Sequence, residues 1–228
     1  MENVGSPSNL RGEVGAGFVE PALEPVDVAP GRERAPGPGL VERADPGPLI
    51  DQAFNPTARR LLGLRMPTVA AVNGVAAGAG FSLALMCDTR IASEDAAFVC
   101  AYGRIGASPD GGMTYFLPRM VGPARATELL LNDPLLSAEQ AREMGIVAEV
   151  VPAADLMDRA REKAAKLAAK APHYVRMSKR LVAASLDNSL ADHLQLERHG
   201  IADSMATEDL REGVTAFIDG REATFTGR

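Results

Sequence analysis

Met66-Pro67-Thr68-Val69-Ala70-Ala71-Val72-Asn73-Gly74-Val75-Ala76-Ala77-Gly78-Ala79-Gly80-Phe81-Ser82-Leu83-Ala84-Leu85 decides how the rest of the chain is read. Thr68 to Val72 is short, apolar and rich in β-branched residues, the pattern of a buried strand. Asn73-Gly74 breaks it. Gly78, Ala79 and Gly80 then lead into an apolar helical run from Phe81 to Met86. A strand that passes through a Gly/Ala loop into a helix leaves backbone N–H groups unpaired at the helix start. Small residues there let a ligand approach the backbone closely. Such a place can hold a developing negative charge. The same pattern also suits a tight strand–helix turn whose small residues serve packing alone. The Lys-Ser/Thr of a phosphate loop is missing, and Gly74-x-x-x-Gly78-x-Gly80 does not fit G-x-G-x-x-G.

Working outward, 228 residues can bury a sizeable core and suit one domain with an appendage. A net charge of −6 and a pI near 5.2 argue against a nucleic-acid partner. Cys87 and Cys100 are too few for a disulfide framework, and their apolar neighbours predict reduced core thiols. His173, His193 and His199 show no metal-ligand spacing and read as surface or interface residues. No apolar run reaches the length of a membrane span, and residues 1–30 lack a basic start followed by an apolar stretch. A soluble cytoplasmic protein is the expectation.

The start of the chain differs from the rest. The first 48 residues hold 8 of the 16 prolines and 8 of the 22 glycines. Val26-Asp27-Val28 is the single hint of alternation, and prolines flank it. Residues 1–47 therefore read as an irregular, disordered or aberrant segment. Beyond them the pattern is regular. Leu49 to Leu64 reads as a helix interrupted at Asn55-Pro56. Strands are expected at Cys87–Ala92, Ala97–Cys100 and Ile146–Val151. Helices are expected from Thr114 to Met120, Ala124 to Leu131, Asp155 to Ala169, His173 to Leu186, Leu190 to Met205 and Thr207 to Asp219. Ser137-Ala138-Glu139-Gln140 is a capping box with Gly145 closing the helix. Residues 48–152 thus form an α/β core, and residues 153–228 a helical region.

Ala71-Val72-Asn73-Gly74-Val75-Ala76-Ala77-Gly78-Ala79-Gly80-Phe81-Ser82-Leu83-Ala84-Leu85-Met86-Cys87-Asp88-Thr89-Arg90-Ile91-Ala92 resembles the signature of the enoyl-CoA hydratase/isomerase (crotonase) superfamily. The run from Ala97 through Pro109-Asp110-Gly111-Gly112-Met113 to Ala126 continues it without a gap, and the likeness extends from about Pro48 to Arg228. It implies a ββα spiral core with a C-terminal helical trimerisation region, and hence a homotrimer or homohexamer. It implies an acyl-CoA thioester as substrate, with coenzyme A as part of that substrate and no separate cofactor, metal, nucleic acid or membrane involved.

Family members begin with strands that are missing or altered here. Gly31 to Arg43 has the length and flanks of the family's first oxyanion loop, with Gly37 among its substrate-binding positions. The donor position in that loop falls on Pro36, which has no N–H, and the usual aspartate falls on Gly39. A mis-assigned start or frame would account for both.

The carboxylates decide the chemistry. Hydratases of the family use two glutamates, whose positions are Ser82 and Tyr102 here. Isomerases of the family that act on ring-1,2-epoxyphenylacetyl-CoA carry an aspartate at the position of Asp110, and the likeness is closest to that subgroup. The resemblance therefore implies an acyl-CoA isomerase of phenylacetate-type catabolism. Asp110 would move a proton, and Ala79 N–H would stabilise the enolate oxygen. Gly78, Gly80, Phe81, Ile105 and Met113 would surround the substrate. Phe217 and Arg221 lie where members contact the CoA of a neighbouring subunit. By position alone Asp110 also suits a turn or a helix N-cap. A hydratase using other residues, and a non-catalytic acyl-CoA-binding protein, are the alternatives.

Overall fold

The computed structural model describes residues 18–21, 45 and 47–228; Pro36, Gly37 and Gly39, expected in the first oxyanion loop, lie outside them. Two sheets alternate along the chain. In the first, β1 (Phe18–Pro21) runs antiparallel to β2 (Thr68–Val72), β2 pairs in parallel with β4 (Thr89–Ser93), and β4 with β7 (Glu149–Val151). In the second, β3 (Val75–Ala77) is parallel to β5 (Ala97–Val99), which pairs antiparallel with β6 (Leu136–Ser137). The strands of the pairs β2/β3 and β4/β5 therefore feed opposite sheets. β2 and β3 precede α3 (Ala79–Met86), and β4 and β5 precede α4 (Met113–Val121). Each turn of this ββα spiral adds a strand to each sheet and a helix outside them.

Three local expectations are corrected. Phe18–Pro21 is a strand inside the segment read as irregular. Val75–Ala77, read as loop, is a strand; three small residues carry no periodicity, and pairing with β5 supplies their hydrogen bonds. The expected break at Pro56 is a π turn one step earlier. α1 (Gly47–Leu49) runs through Ile50–Phe54 into α2 (Asn55–Leu62), and Asn55 N–H reaches back to Ile50 O.

Burial explains why β2 is apolar throughout. Ala70 and Val72 face a core shared with Phe81, Leu85, Phe98, Met113 and Leu117. Val69 and Ala71 face the other way, with Ile91, onto Leu156, Ala160 and Ala164 of α7 (Leu156–Ala168). A strand covered on both faces loses the polar alternation of a half-exposed one. Truncating fully buried Ile91 to Ala would cost about 2–5 kcal/mol.

α5 (Pro123–Asn132) and α6 (Ala138–Glu143) complete the core, and the Ser137/Gln140 capping box forms with both hydrogen bonds. Cys87 and Cys100 are free and buried, as expected; burial pushes their thiols up to about 12 and about 11.

The helical region is tied to the core by charge as well as by packing. Lys179, on α8 (Pro172–Ala184), donates to Asp88 Oδ2 at 2.7 Å and to Met66 O at 2.9 Å. Asp88 also accepts from Thr68 N–H and Oγ1, which fixes the start of β2. α9 (Leu190–Ser204) and α10 (Glu208–Asp219) follow. Asp209 does more than balance a helix dipole. It is buried, and its carboxylate accepts from the amides of Thr226 and Gly227 at 2.7 and 3.0 Å, folding residues 224–228 back on α10. Among the described residues no helix is long and apolar enough to cross a membrane.

Candidate active site

The start of α3 is left bare. Gly78 is its N-cap and provides no side-chain cap. Its φ of 51° lies in the region that glycine adopts at little cost, and its N–H is anchored to Val99 O at 3.1 Å. A side chain at Gly78 would approach Cys100 O at 3.6 Å and the Tyr102 ring at 3.8 Å. Ala79 opens the helix, so its N–H has no acceptor within it. Gly80 is exposed, with open space where a Cβ would lie. The opposite end of α3 is closed by Arg90, which is buried and donates to the carbonyls of Ala84, Leu85 and Cys87 and to Ile146 O. A cation there complements the negative end of the helix. Nothing in the local pattern around Arg90 signalled this role.

Asp110 stands on the loop that enters α4. Gly111 and Gly112 follow it with φ of 59° and 78°, and Asp110 O accepts from Met113 N–H at 3.0 Å. The N-cap of α4 is Gly112, with no side-chain cap bond, so the Asp110 carboxylate is not the cap. It takes a hydrogen bond from the Tyr102 hydroxyl instead, at 2.7 Å on Oδ1. Burial, and then this hydrogen bond, raise the Tyr102 phenol above its ordinary range, so it stays protonated and donates. Among the described residues no other side chain bonds to the carboxylate, which leaves Oδ2 free.

Ser82 joins the two halves. Its hydroxyl lies 3.2 Å from Gly78 O and 3.4 Å from Asp110 O. Ser82 and Tyr102 were notable in the sequence as positions lacking glutamates. In the structure both touch Asp110, and both lie against the start of α3. A glutamate pair for water activation is absent at these positions, and one carboxylate stands on a loop that touches the first turn of α3.

The other expected site residues divide. Phe81 and Met113 are fully buried; Phe81 packs on Phe98 with ring centroids 5.3 Å apart. They support the site from the core and do not line its surface. Ile105 is 78% exposed, so within one chain it does not enclose the carboxylate. Phe217 and Arg221 lie at the end of α10, away from these elements in sequence and fold. Phe217 is 86% exposed. Arg221 is held by Glu212 through two hydrogen bonds of 2.7 and 2.8 Å, and that pairing brings the Glu212 carboxyl down to about 2.

The spiral of paired sheets with a glycine-led helix start and a helical C-terminal region is the crotonase fold. Residues 42–228 match the family model for enoyl-CoA hydratase/isomerase, and the chain belongs to that family. It is 42% identical over 184 residues to the 1,2-epoxyphenylacetyl-CoA isomerase of Escherichia coli, covering 81% of this chain and 70% of that one. It is 39% identical over 192 residues to a "probable enoyl-CoA hydratase" of Rhodobacter capsulatus, covering 84% and 75%. The crystal structure of enoyl-CoA hydratase from Bacillus anthracis superposes with a TM-score of 0.78 at 32% identity, over 83% of this chain and 73% of that one.

Proposed function

We propose that this chain is an acyl-CoA isomerase that moves a proton between carbons through a thioester enolate. The observation that carries the reading is the Asp110 carboxylate, held on one oxygen by Tyr102 and free on the other, beside the uncapped start of α3. Oδ2 of Asp110 takes the proton from the carbon next to the thioester carbonyl. The C–H electron pair moves into the carbonyl as an enolate, and Ala79 N–H donates to the oxygen that gains charge. The same carboxyl group then returns its proton to the γ-carbon, and the electrons return from the oxygen. Nothing is oxidised or reduced, so the coenzyme A of the substrate suffices. The name of the Escherichia coli relative favours an aromatic acyl group of the phenylacetyl kind.

A hydratase reading draws on the relatives named hydratases, but Ser82 and Tyr102 offer no carboxylate to activate water. A non-catalytic acyl-CoA-binding protein is the outcome if turnover is absent. Assembly through the C-terminal helices into a trimer or hexamer accompanies the proposal. Leu190, Leu194, Ile201, Phe217 and Ile218 are exposed in the single chain, as a face awaiting another subunit would be.

The test compares isomerisation of a 3-unsaturated acyl-CoA with hydration of a 2-unsaturated one, and follows α-proton exchange from deuterated water. Isomerisation and exchange should dominate. Asp110→Asn should lower both by about 10²–10⁴-fold with binding retained. Hydration with no isomerisation overturns the reading, as does near-wild-type exchange in Asp110→Asn.

A further inference from the structure

Among the described residues, two that are not glycine have positive φ: Ala101 at 67° and Asp133 at 47°. They are bonded to each other. Ala101 N–H donates to Asp133 Oδ1 at 2.7 Å across 32 residues. Strained backbone persists where its surroundings over-determine it, and it gathers at functional sites. Here the surroundings are explicit. Asp133 caps the end of α5, is buried, and uses both carboxylate oxygens and its carbonyl on one turn of chain. Oδ2 accepts from Arg104 Nε at 3.0 Å, and the carbonyl from the Arg104 guanidinium at 2.9 Å. Tyr102 lies between these anchors. Its own carbonyl accepts from the amides of Ile105 and Ala107, closing the turn behind it. Its ring is buried, and its hydroxyl reaches forward to Asp110 while passing over Gly78.

We infer that Tyr102 is a positioning residue for the Asp110 carboxylate, and that the Ala101–Asp133 bond holds Tyr102 in the orientation that does this. The inference rests on the reading of Asp110 as the proton carrier. A carboxylate on a loop would otherwise sample several rotamers and present either oxygen. The Tyr102 hydroxyl engages Oδ1 and leaves Oδ2 as the working oxygen. The left-handed turn at Ala101 aims the ring, and the buried Asp133 clasp is what that turn leans on. Tyr102 itself need not touch the reacting carbons.

The experiment is a double-mutant cycle on kcat and KM with a 3-unsaturated acyl-CoA, using Tyr102→Phe, Asp110→Asn and the pair. Tyr102→Phe keeps the buried ring and removes one hydroxyl. It should lower kcat by about 10–10²-fold, the scale of a small misplacement, with KM little changed. In the Asp110→Asn background it should have no further effect, because its action passes through that carboxylate. Asp133→Ala should reproduce the loss in kcat, and Asp133→Asn, which keeps an acceptor for Ala101 N–H, should restore most of it. This second pair carries the test if Tyr102→Phe does not fold. Losses that multiply in the double variant would overturn the inference, since Tyr102 would then act on the substrate directly. An inactive Asp110→Asn beside an unimpaired Tyr102→Phe overturns it alone. An active Asp110→Asn removes the underlying reading and this inference with it.

Discussion

Gly111 rests directly on Ser82: a methyl at position 111 would lie 3.1 Å from the Ser82 Cβ and 3.3 Å from its Oγ. The residue after Asp110 is thus pressed against the first turn of α3, which fixes the separation between the carboxylate and the helix start. Gly111→Ala must push these apart and must also hold alanine at a φ of 59°. The left-handed conformation costs about 1–2 kcal/mol. The displacement should lower kcat by about 10–10²-fold. Ser82→Gly in the same chain removes the opposing Cβ and should recover part of kcat but not the lost stability. Equal kcat in single and double variants would show that the contact does not set the geometry.

Ala79 tests the amide donor. Proline is tolerated at the first position of a helix but has no N–H. Ala79→Pro should lower kcat by about 10²–10³-fold, while Ala79→Gly keeps activity. Circular dichroism should show both folded. Two folded variants of equal rate would mean that this amide does not meet the enolate oxygen.

Arg90 predicts stability. Arg90→Leu removes the guanidinium donor from the carbonyls that close α3 and leaves them unpaired in a buried setting. A loss of about 3 kcal/mol is expected in a denaturant titration. A change within the scatter of a surface mutation would show that these carbonyls find other partners.

The C-terminal tail should be sensitive to acid. Arg221, and then the Thr224 amide, hold the Glu212 carboxyl at about 2 instead of the ordinary 4.5. A carboxylate depressed on folding contributes stability above its unfolded value and loses it as pH falls through the folded one. The Thr224 amide shift, followed by NMR, should therefore hold steady through pH 4.5 and change towards pH 2. A midpoint near 4.5 would show that the pair does not form in solution.

Assembly is read by light scattering. Chains of 24.0 kDa should give the mass of three or six. Leu194→Asp and Ile201→Asp place charge on the exposed apolar face of α9 and should shift the mass downward. A wild-type monomer at micromolar concentration would count against subunit packing through these helices.

Much was legible in sequence where the deciding interactions are local. β2 and α3, at the two ends of the stretch from Thr68 to Met86, are written in a run of β-branched residues and an apolar helix led by small residues. The Ser137/Gln140 capping box spans four residues, and so can be seen without the fold. The bounds of α7 to α10 fall within a few residues of their apolar periodicity for the same reason. Asp110 could be singled out, but whether it capped a helix could not. That depends on Gly112 taking the cap position, and on a tyrosine eight residues back turning towards the carboxylate.

What the sequence by itself determined is the bare helix start at Ala79, which follows from residue types within one or two turns of chain, and the fold family, which follows from a resemblance that runs from about Pro48 to Arg228. The tertiary structure alone decided the rest. β3 exists because β5 pairs with it. Arg90 is buried because the fold brings the end of α3 and Ile146, 56 residues beyond Arg90, to one point. Ser82 meets Asp110 across 28 residues, and Asp133 meets Ala101 across 32. A hydrogen bond fixes a side chain only when its partner is already held in place. For these pairs the partner is held by the packing of both sheets, which no local window contains.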